Sequence, residues 1–140
     1  WLRRNPKLAT IGRLDADTTG IILLTDDGAL NHRLSSPKGN KVKVYEVELA
    51  DELKGDEAEI FGSGTMMLHG EVKPLLPAKF ERLDSKKARL EIIEGRYHQV
   101  KRMFGAVGNR VVALHRTQFG EYLLDDLREG EFRVRVCNIN

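Results

Sequence analysis

The chain has 140 residues, of which 41% are hydrophobic and 31% charged, with a formal net charge of +2. This balance excludes a disordered chain and indicates one globular domain with its own core. Its longest apolar runs, such as residues 21–24, are too short to cross a bilayer, and the single cysteine, Cys137, excludes an internal disulfide. No cysteine–histidine cluster has metal-ligand spacing. We therefore expect a cytoplasmic protein that works without a membrane or a metal.

The predicted elements are mostly strands. Apolar and β-branched residues indicate strands over 9–14, 21–25, 41–49, 78–83, 88–93, 111–114 and 132–136, with a polar loop over 15–20. Helices are predicted from an Asp26 or Asp27 cap to about Leu34, over 57–61, and from Tyr97 to a stop at residues 108–109. Many strands with a few interleaved helices predict an α+β domain on a mostly antiparallel or mixed sheet, with the helices flanking it.

Basic residues are concentrated in two segments that contain no acid. Residues 28–45 carry four cations and residues 96–116 carry five, namely Arg33, Lys38, Lys41, Lys43, Arg96, Lys101, Arg102, Arg110 and Arg116. If the segments meet in space, they form a basic face that holds phosphates. The alternative is ordinary solvated surface charge.

A carboxylate lies where a predicted strand meets a loop. Residues 12–20 read Gly-Arg-Leu-Asp-Ala-Asp-Thr-Thr-Gly, and residues 23–28 read Leu-Leu-Thr-Asp-Asp-Gly. An isolated D-x-D-x-T-G string is typical of a turn or a helix cap. The two stretches together, however, resemble the signature loop of the RsuA/RluA pseudouridine synthases, in which the aspartate is the catalytic group. The resemblance implies that Asp15 is the catalytic carboxylate.

Two further motifs carry the same resemblance. Lys-Val-Tyr-Glu-Val at 43–47 is similar to the family strand whose tyrosine lies against the target base, which implies that role for Tyr45; without the resemblance, Tyr45 is a half-buried strand aromatic. Glu-Gly-Arg-Tyr-His-Gln-Val-Lys-Arg-Met-Phe at 94–104 resembles the segment that supplies a basic partner to the aspartate. The matching residue is Lys101, with Arg102 as the neighbouring alternative, and both share the polar face of the predicted helix with His98.

The resemblance runs from about residue 12 to 136 and is strongest to the RsuA-type branch, which includes the RluB, RluE and RluF enzymes. It implies a synthase that isomerises one uridine of small-subunit ribosomal RNA without a cofactor. The alternatives are a large-subunit synthase of the same family and a non-catalytic RNA-binding module. A glycoside hydrolase is disfavoured because Asp15 and Asp17 lie on one loop instead of opposing each other. Members of this branch usually begin with an S4-type RNA-binding domain, so we expect residues 1–140 to be a catalytic-domain fragment, and a monomer.

The catalytic assignment comprises Asp15, Tyr45 and Lys101. The uridine must leave its stack before it can react, so contacts to the RNA have to offset the cost of flipping it out. Leu114 is expected to line the base pocket. The expected RNA contacts are Arg13, Lys43, Arg96, His98, Gln99, Arg102, Arg110 and Arg116.

Overall fold

The fold is built on a mixed β-sheet, and short helices accompany it. The computed structural model describes residues 6–36 and 41–134. Its elements are β1 (Ala9–Ile11), β2 (Thr18–Gly20), β3 (Leu23–Thr25), α1 (Gly28–Ser35), β4 (Lys43–Leu49), α2 (Glu57–Gly62), β5 (Lys79–Asp84), β6 (Lys87–Ile92), α3 (Gln99–Ala106), β7 (Val111–Phe119) and β8 (Tyr122–Leu123).

The main sheet has the strand order β2-β7-β4-β6-β5, and β8 pairs with β7. Its pairings are antiparallel except for β2, which runs parallel to β7. A separate two-stranded sheet joins β1 to β3. The predicted α+β class with a mostly antiparallel, mixed sheet is therefore confirmed.

One face of the main sheet forms the core. Val47 and Leu49 of β4 are buried there, as their alternate spacing predicts, and they pack with residues of β6 and α3. Helix α3 buries Val100, Met103 and Phe104, which confirms the predicted helical spacing. The helix stops near Gly108, whose φ of 84° is the left-handed conformation that glycine adopts without steric cost.

A second, smaller cluster lies at the β2 end of the sheet. Ile11, Ile21 and Phe119 are buried together there. Next to it, α1 begins after Asp27, whose carboxylate accepts hydrogen bonds from the backbone N–H groups of Ala29 and Leu30 at 3.0 and 3.2 Å. Of the two predicted caps, Asp27 is the one used.

Several predicted boundaries are wrong. The strand predicted over 111–114 continues to Phe119, and β2 lies inside the predicted 15–20 loop, because residues 18–20 pair with β7 and local composition does not show such a pairing. Phe132 and Val134 are exposed and belong to no strand. Lys38, Cys137 and the end of the strand predicted over 132–136 lie outside the described residues. Within the described ranges, no helix has the length and apolar character needed to span a membrane.

Candidate active site

Asp15 lies in the short connection between β1 and β2. Its backbone carbonyl accepts a hydrogen bond from the Thr18 N–H at 2.9 Å, which closes a turn directly before β2. The parallel pairing of Thr18 with Leu114 then holds this turn against the sheet. The side chain of Asp15 is 34% exposed, so its carboxylate is supported by the fold and still accessible.

Gly20 allows β2 to approach β7 closely. Its φ is 121°, and a Cβ at this position would overlap the backbone carbonyl oxygen and nitrogen of Arg116. Only glycine lacks the atom that would collide. The path of the chain after Asp15 therefore depends on this residue.

Two residues at the start of α3 reach the Asp15 carboxylate. Lys101 Nζ lies 3.6 Å from Asp15 Oδ2, and His98 Nε2 lies 3.5 Å from Asp15 Oδ1. Lys101 lies in the first turn of α3, and His98 is the residue directly before the helix. The structure thus brings together Asp15, Lys101 and His98, which the sequence singled out in distant segments.

Lys101 makes a shorter contact with Asp17 than with Asp15. Asp17 Oδ1 lies 2.6 Å from Lys101 Nζ, so the ammonium contacts both carboxylates of the loop. This hydrogen bond is the main cause that lowers the pKa of Asp17 below its ordinary value and raises the pKa of Lys101, with a smaller contribution to Lys101 from Asp15. Lys101 is therefore a fixed positive charge beside Asp15 at neutral pH. Asp17 was not among the predicted site residues, although the sequence places it two residues from Asp15 on the same loop.

Tyr45 lies two strands away from β2. It pairs with Arg116 of β7, which in turn pairs with Gly20, so the three residues form a row across the sheet. With a strand spacing of about 4.8 Å, the backbones of Tyr45 and Gly20 are roughly 10 Å apart. Leu114 lies two residues before Arg116 in β7 and is only 7% exposed, so most of its side chain packs in the core.

Lys43 is half-buried instead of lying on a basic surface. Its Nζ lies 3.3 Å from the Glu94 carbonyl oxygen, and burial lowers its pKa, as does the nearby charge of Arg116. The two basic segments of the sequence therefore do meet, at β4 and β7. Of the two cations that meet there, Arg116 is buried and Lys43 is half-buried.

Arg116 and Gln99, which the sequence predicts as RNA contacts, are both buried in the structure. Arg116 is 2% exposed, and its Nε and Nη2 donate to the Ile21 carbonyl at 3.0 and 2.9 Å. Gln99 is 4% exposed, and it accepts from the Arg96 N–H and donates to Glu94 Oε1 at 3.0 and 3.2 Å. Their polar groups are used to hold neighbouring segments.

Arg96 and Arg102 are also engaged with the protein. Arg96 donates to the carbonyls of Lys73 and Pro74, both at 2.8 Å, and to a Glu94 carboxylate oxygen at 3.1 Å. Arg102 donates to the Glu71 carboxylate at 3.2 Å and to the carbonyls of His69 and Tyr97 at 2.8 and 3.0 Å. Their guanidinium groups therefore join the loop before β5 to the loop before α3. Arg13 and Arg110, by contrast, are exposed, as expected for RNA contacts.

Comparison with known proteins agrees with this geometry. The family model described as RNA pseudouridylate synthase matches residues 2–106. The chain is 52% identical over 128 residues to the ribosomal small subunit pseudouridine synthase A of Haemophilus influenzae and 51% identical to that of Escherichia coli, in each case over 91% of the chain and 55% of the relative. The chain thus spans about half the length of these relatives.

A solved structure gives the same result for the fold. The crystal structure of a pseudouridylate synthase superimposes with a TM-score of 0.87 at 52% identity, over 91% of this chain and 56% of that one. At this identity, and with the match covering most of the chain, the likeness extends well beyond a shared fold. The chain belongs to the RNA pseudouridylate synthase family.

Proposed function

We propose that the protein converts a uridine of small-subunit ribosomal RNA to pseudouridine, with Asp15 as the catalytic carboxylate. The observation that carries the proposal is an accessible carboxylate in contact with a cation from α3, Lys101, in a chain of this family. The names of the two bacterial relatives support the small-subunit substrate. The same names support RNA as the partner and the cytoplasm as the place of action, and we propose that the protein acts as a monomer.

The proposed reaction is an isomerisation. The bond from the ribose to uracil N1 breaks, the base turns, and a bond forms to C5; C5 then loses its proton and N1 gains one, so atoms and electrons balance without a redox partner. An ionised Asp15 serves this reaction by attacking the sugar, by attacking the base or by removing a ribose proton. All three routes require the carboxylate.

The other proposed roles follow from chemistry and position. A uridine inside a stacked helix must flip out, which costs a few kcal/mol, and the ring of Tyr45 offers it a stacking surface. The Tyr45 hydroxyl is the proposed base for the C5 proton. Arg13 and Arg110 are exposed cations suited to phosphate contacts. We assign His98 to the site through its contact with Asp15.

The test is pseudouridine mapping on ribosomal RNA transcripts. The chain, alone and joined to an N-terminal S4-type RNA-binding domain, is incubated with small-subunit transcript, and pseudouridine is located by carbodiimide-dependent reverse-transcription stops. We expect a stop at one uridine that disappears with Asp15→Asn while RNA affinity is kept.

Asp17→Asn is the matched control, because it changes a second carboxylate of the same loop. We expect it to retain pseudouridine formation. If Asp17→Asn abolishes the stop and Asp15→Asn does not, the catalytic role passes to Asp17. A stop on large-subunit transcript alone would show that the substrate is large-subunit ribosomal RNA. If neither RNA gave a stop, a non-catalytic RNA-binding module would be favoured.

A further inference from the structure

An aromatic ring stands exposed beside the proposed catalytic carboxylate. Tyr97 is 76% exposed, and its ring stacks on the His98 imidazole with centroids 3.9 Å apart and planes 23° from parallel. His98 in turn contacts Asp15. One face of a large ring is therefore covered by His98, and most of the rest of the side chain is left to solvent, where an aromatic surface gains nothing unless a partner covers it.

The backbone that carries this ring is held in place from both sides. Arg102 donates to the Tyr97 carbonyl at 3.0 Å and to the His69 carbonyl at 2.8 Å. On the other side, Arg96 donates to the carbonyls of Lys73 and Pro74. Arg96 and Arg102, two of the residues that the sequence predicts as RNA contacts, therefore hold the segment that presents Tyr97.

The conformation of His98 adds to this constraint. Its φ of 47° and ψ of 39° place it in the left-handed region, which is uncommon outside glycine and is found at sites where the surrounding structure imposes it. The bend occurs directly before α3 and turns the ring of His98 between Tyr97 and Asp15. His98 therefore contacts both the exposed Tyr97 ring and the Asp15 carboxylate.

A nucleobase fits this surface by its chemistry. Single-stranded RNA is recognised through bases that stack on aromatic rings, and such stacking tolerates any base because every base has a π-face. We propose that Tyr97 is the stacking platform for a nucleobase that neighbours the target uridine. This inference rests on the proposed function for its RNA ligand, and it adds a contact outside the catalytic group Asp15, Tyr45 and Lys101.

The test is a double-mutant cycle between Tyr97 and the RNA. Wild type, Tyr97→Leu and Tyr97→Phe are titrated with short oligoribonucleotides that carry one central uridine flanked by adenosines, and with versions in which one flanking nucleotide at a time is abasic. We expect Tyr97→Leu to weaken binding of the intact RNA by about 5- to 100-fold, and Tyr97→Phe to bind within about twofold of wild type, since only the ring is required. With the abasic site at one flanking position, wild type and Tyr97→Leu should bind equally.

The outcomes separate the platform from the proposed function. Wild-type affinity of Tyr97→Leu for the intact RNA, or the same loss on every abasic RNA, would overturn the platform, even with pseudouridine formed on the ribosomal transcript. If Tyr97 is coupled to the nucleotide at one flanking position but the protein forms no pseudouridine, the platform is supported and the proposed synthase activity is not. Failure of wild type to bind the oligonucleotides would also overturn the platform. An unchanged thermal melting curve of Tyr97→Leu shows that the fold is intact.

Discussion

Lys101 Nζ lies 3.6 Å from Asp15 Oδ2, which joins helix α3 to the loop that leads into β2. The same ammonium hydrogen-bonds Asp17 at 2.6 Å, so one cation holds two carboxylates of this loop. Because β2 is paired with β7 and α3 packs on the core, both sides of the contact are attached to rigid elements.

Lys101→Met is expected to reduce single-turnover pseudouridine formation by at least about 100-fold. The reason is that Asp15 loses its charged neighbour in a site built to stabilise charge, where removal of one such group costs about 10²–10³ in rate. Arg102→Met is the matched control, because Arg102 follows Lys101 in α3 but binds Glu71 and the His69 carbonyl. The Arg102→Met variant should mainly lower Tm and weaken RNA binding. Its effect on the rate of pseudouridine formation should be smaller. The reverse pattern would make Arg102 the partner of Asp15.

Asp17 is expected to titrate below its ordinary pKa of 3.8 in the folded protein, since the Lys101 hydrogen bond stabilises its ionised form. A lowered carboxyl pKa contributes stability that is present above the unfolded-state pKa and is lost as the pH falls through the folded-state pKa. The contact therefore persists across neutral pH and fails only in strong acid. Carboxyl NMR titration measures the pKa directly. In Lys101→Met the Asp17 pKa should rise, and an unchanged value would show that Lys101 is not the cause.

Tyr45→Phe is expected to keep RNA affinity and to slow turnover by about 10²-fold or more, the contribution of a positioned general base. The substitution removes the hydroxyl and leaves the ring that stacks on the base. Single-turnover rates and RNA binding, measured on the same preparation, separate the two roles. Full activity in this variant would reduce Tyr45 to a stacking residue.

Lys43→Met is expected to raise Tm at neutral pH and to weaken RNA binding or turnover. Burial and the charge of Arg116 lower the Lys43 pKa, so the folded state disfavours the protonated form that the unfolded chain carries. Stability should accordingly increase as the pH rises from the folded-state pKa towards the ordinary value of 10.5, and Lys43→Met should abolish this dependence. Lys86→Met, at an exposed turn position, is the control and should change neither Tm nor binding. A lower Tm in Lys43→Met would show that the charge is not destabilising.

Gly20→Ala is expected to destabilise the fold by about 2–6 kcal/mol, because the new Cβ meets the Arg116 backbone and the φ of 121° strains any other residue. Gly105→Ala is the control, and its expected effect on stability has the opposite sign. Gly105 lies inside α3 with open space around its Cα, so alanine should stabilise by about 0.5–1 kcal/mol. Chemical denaturation measures both values, and equal stability of Gly20→Ala and wild type would mean that β2 moves away from β7 without cost.

Periodicity predicted the parts of the fold that depend on neighbours along the chain. The spacing of Val100, Met103 and Phe104 predicted α3 and its buried face, and the left-handed stop at Gly108 ended it as expected. The apolar and β-branched residues of 41–49 predicted β4, in which Val47 and Leu49 pack on the core. The parallel pairing of β2 was missed because three residues carry too little pattern and their partner lies in a distant strand.

The sequence by itself determined the α+β class, the family resemblance, and Asp15 and Lys101 as a candidate pair, since these follow from local periodicity and motif order. Only the tertiary structure decided what each cation does. Arg96, Arg102 and Arg116 look like RNA ligands in the sequence, yet their guanidinium groups bind carbonyls of distant segments. A guanidinium carries several donors that must be satisfied when it leaves water, and whether a phosphate or a carbonyl satisfies them depends on which backbone the fold brings near.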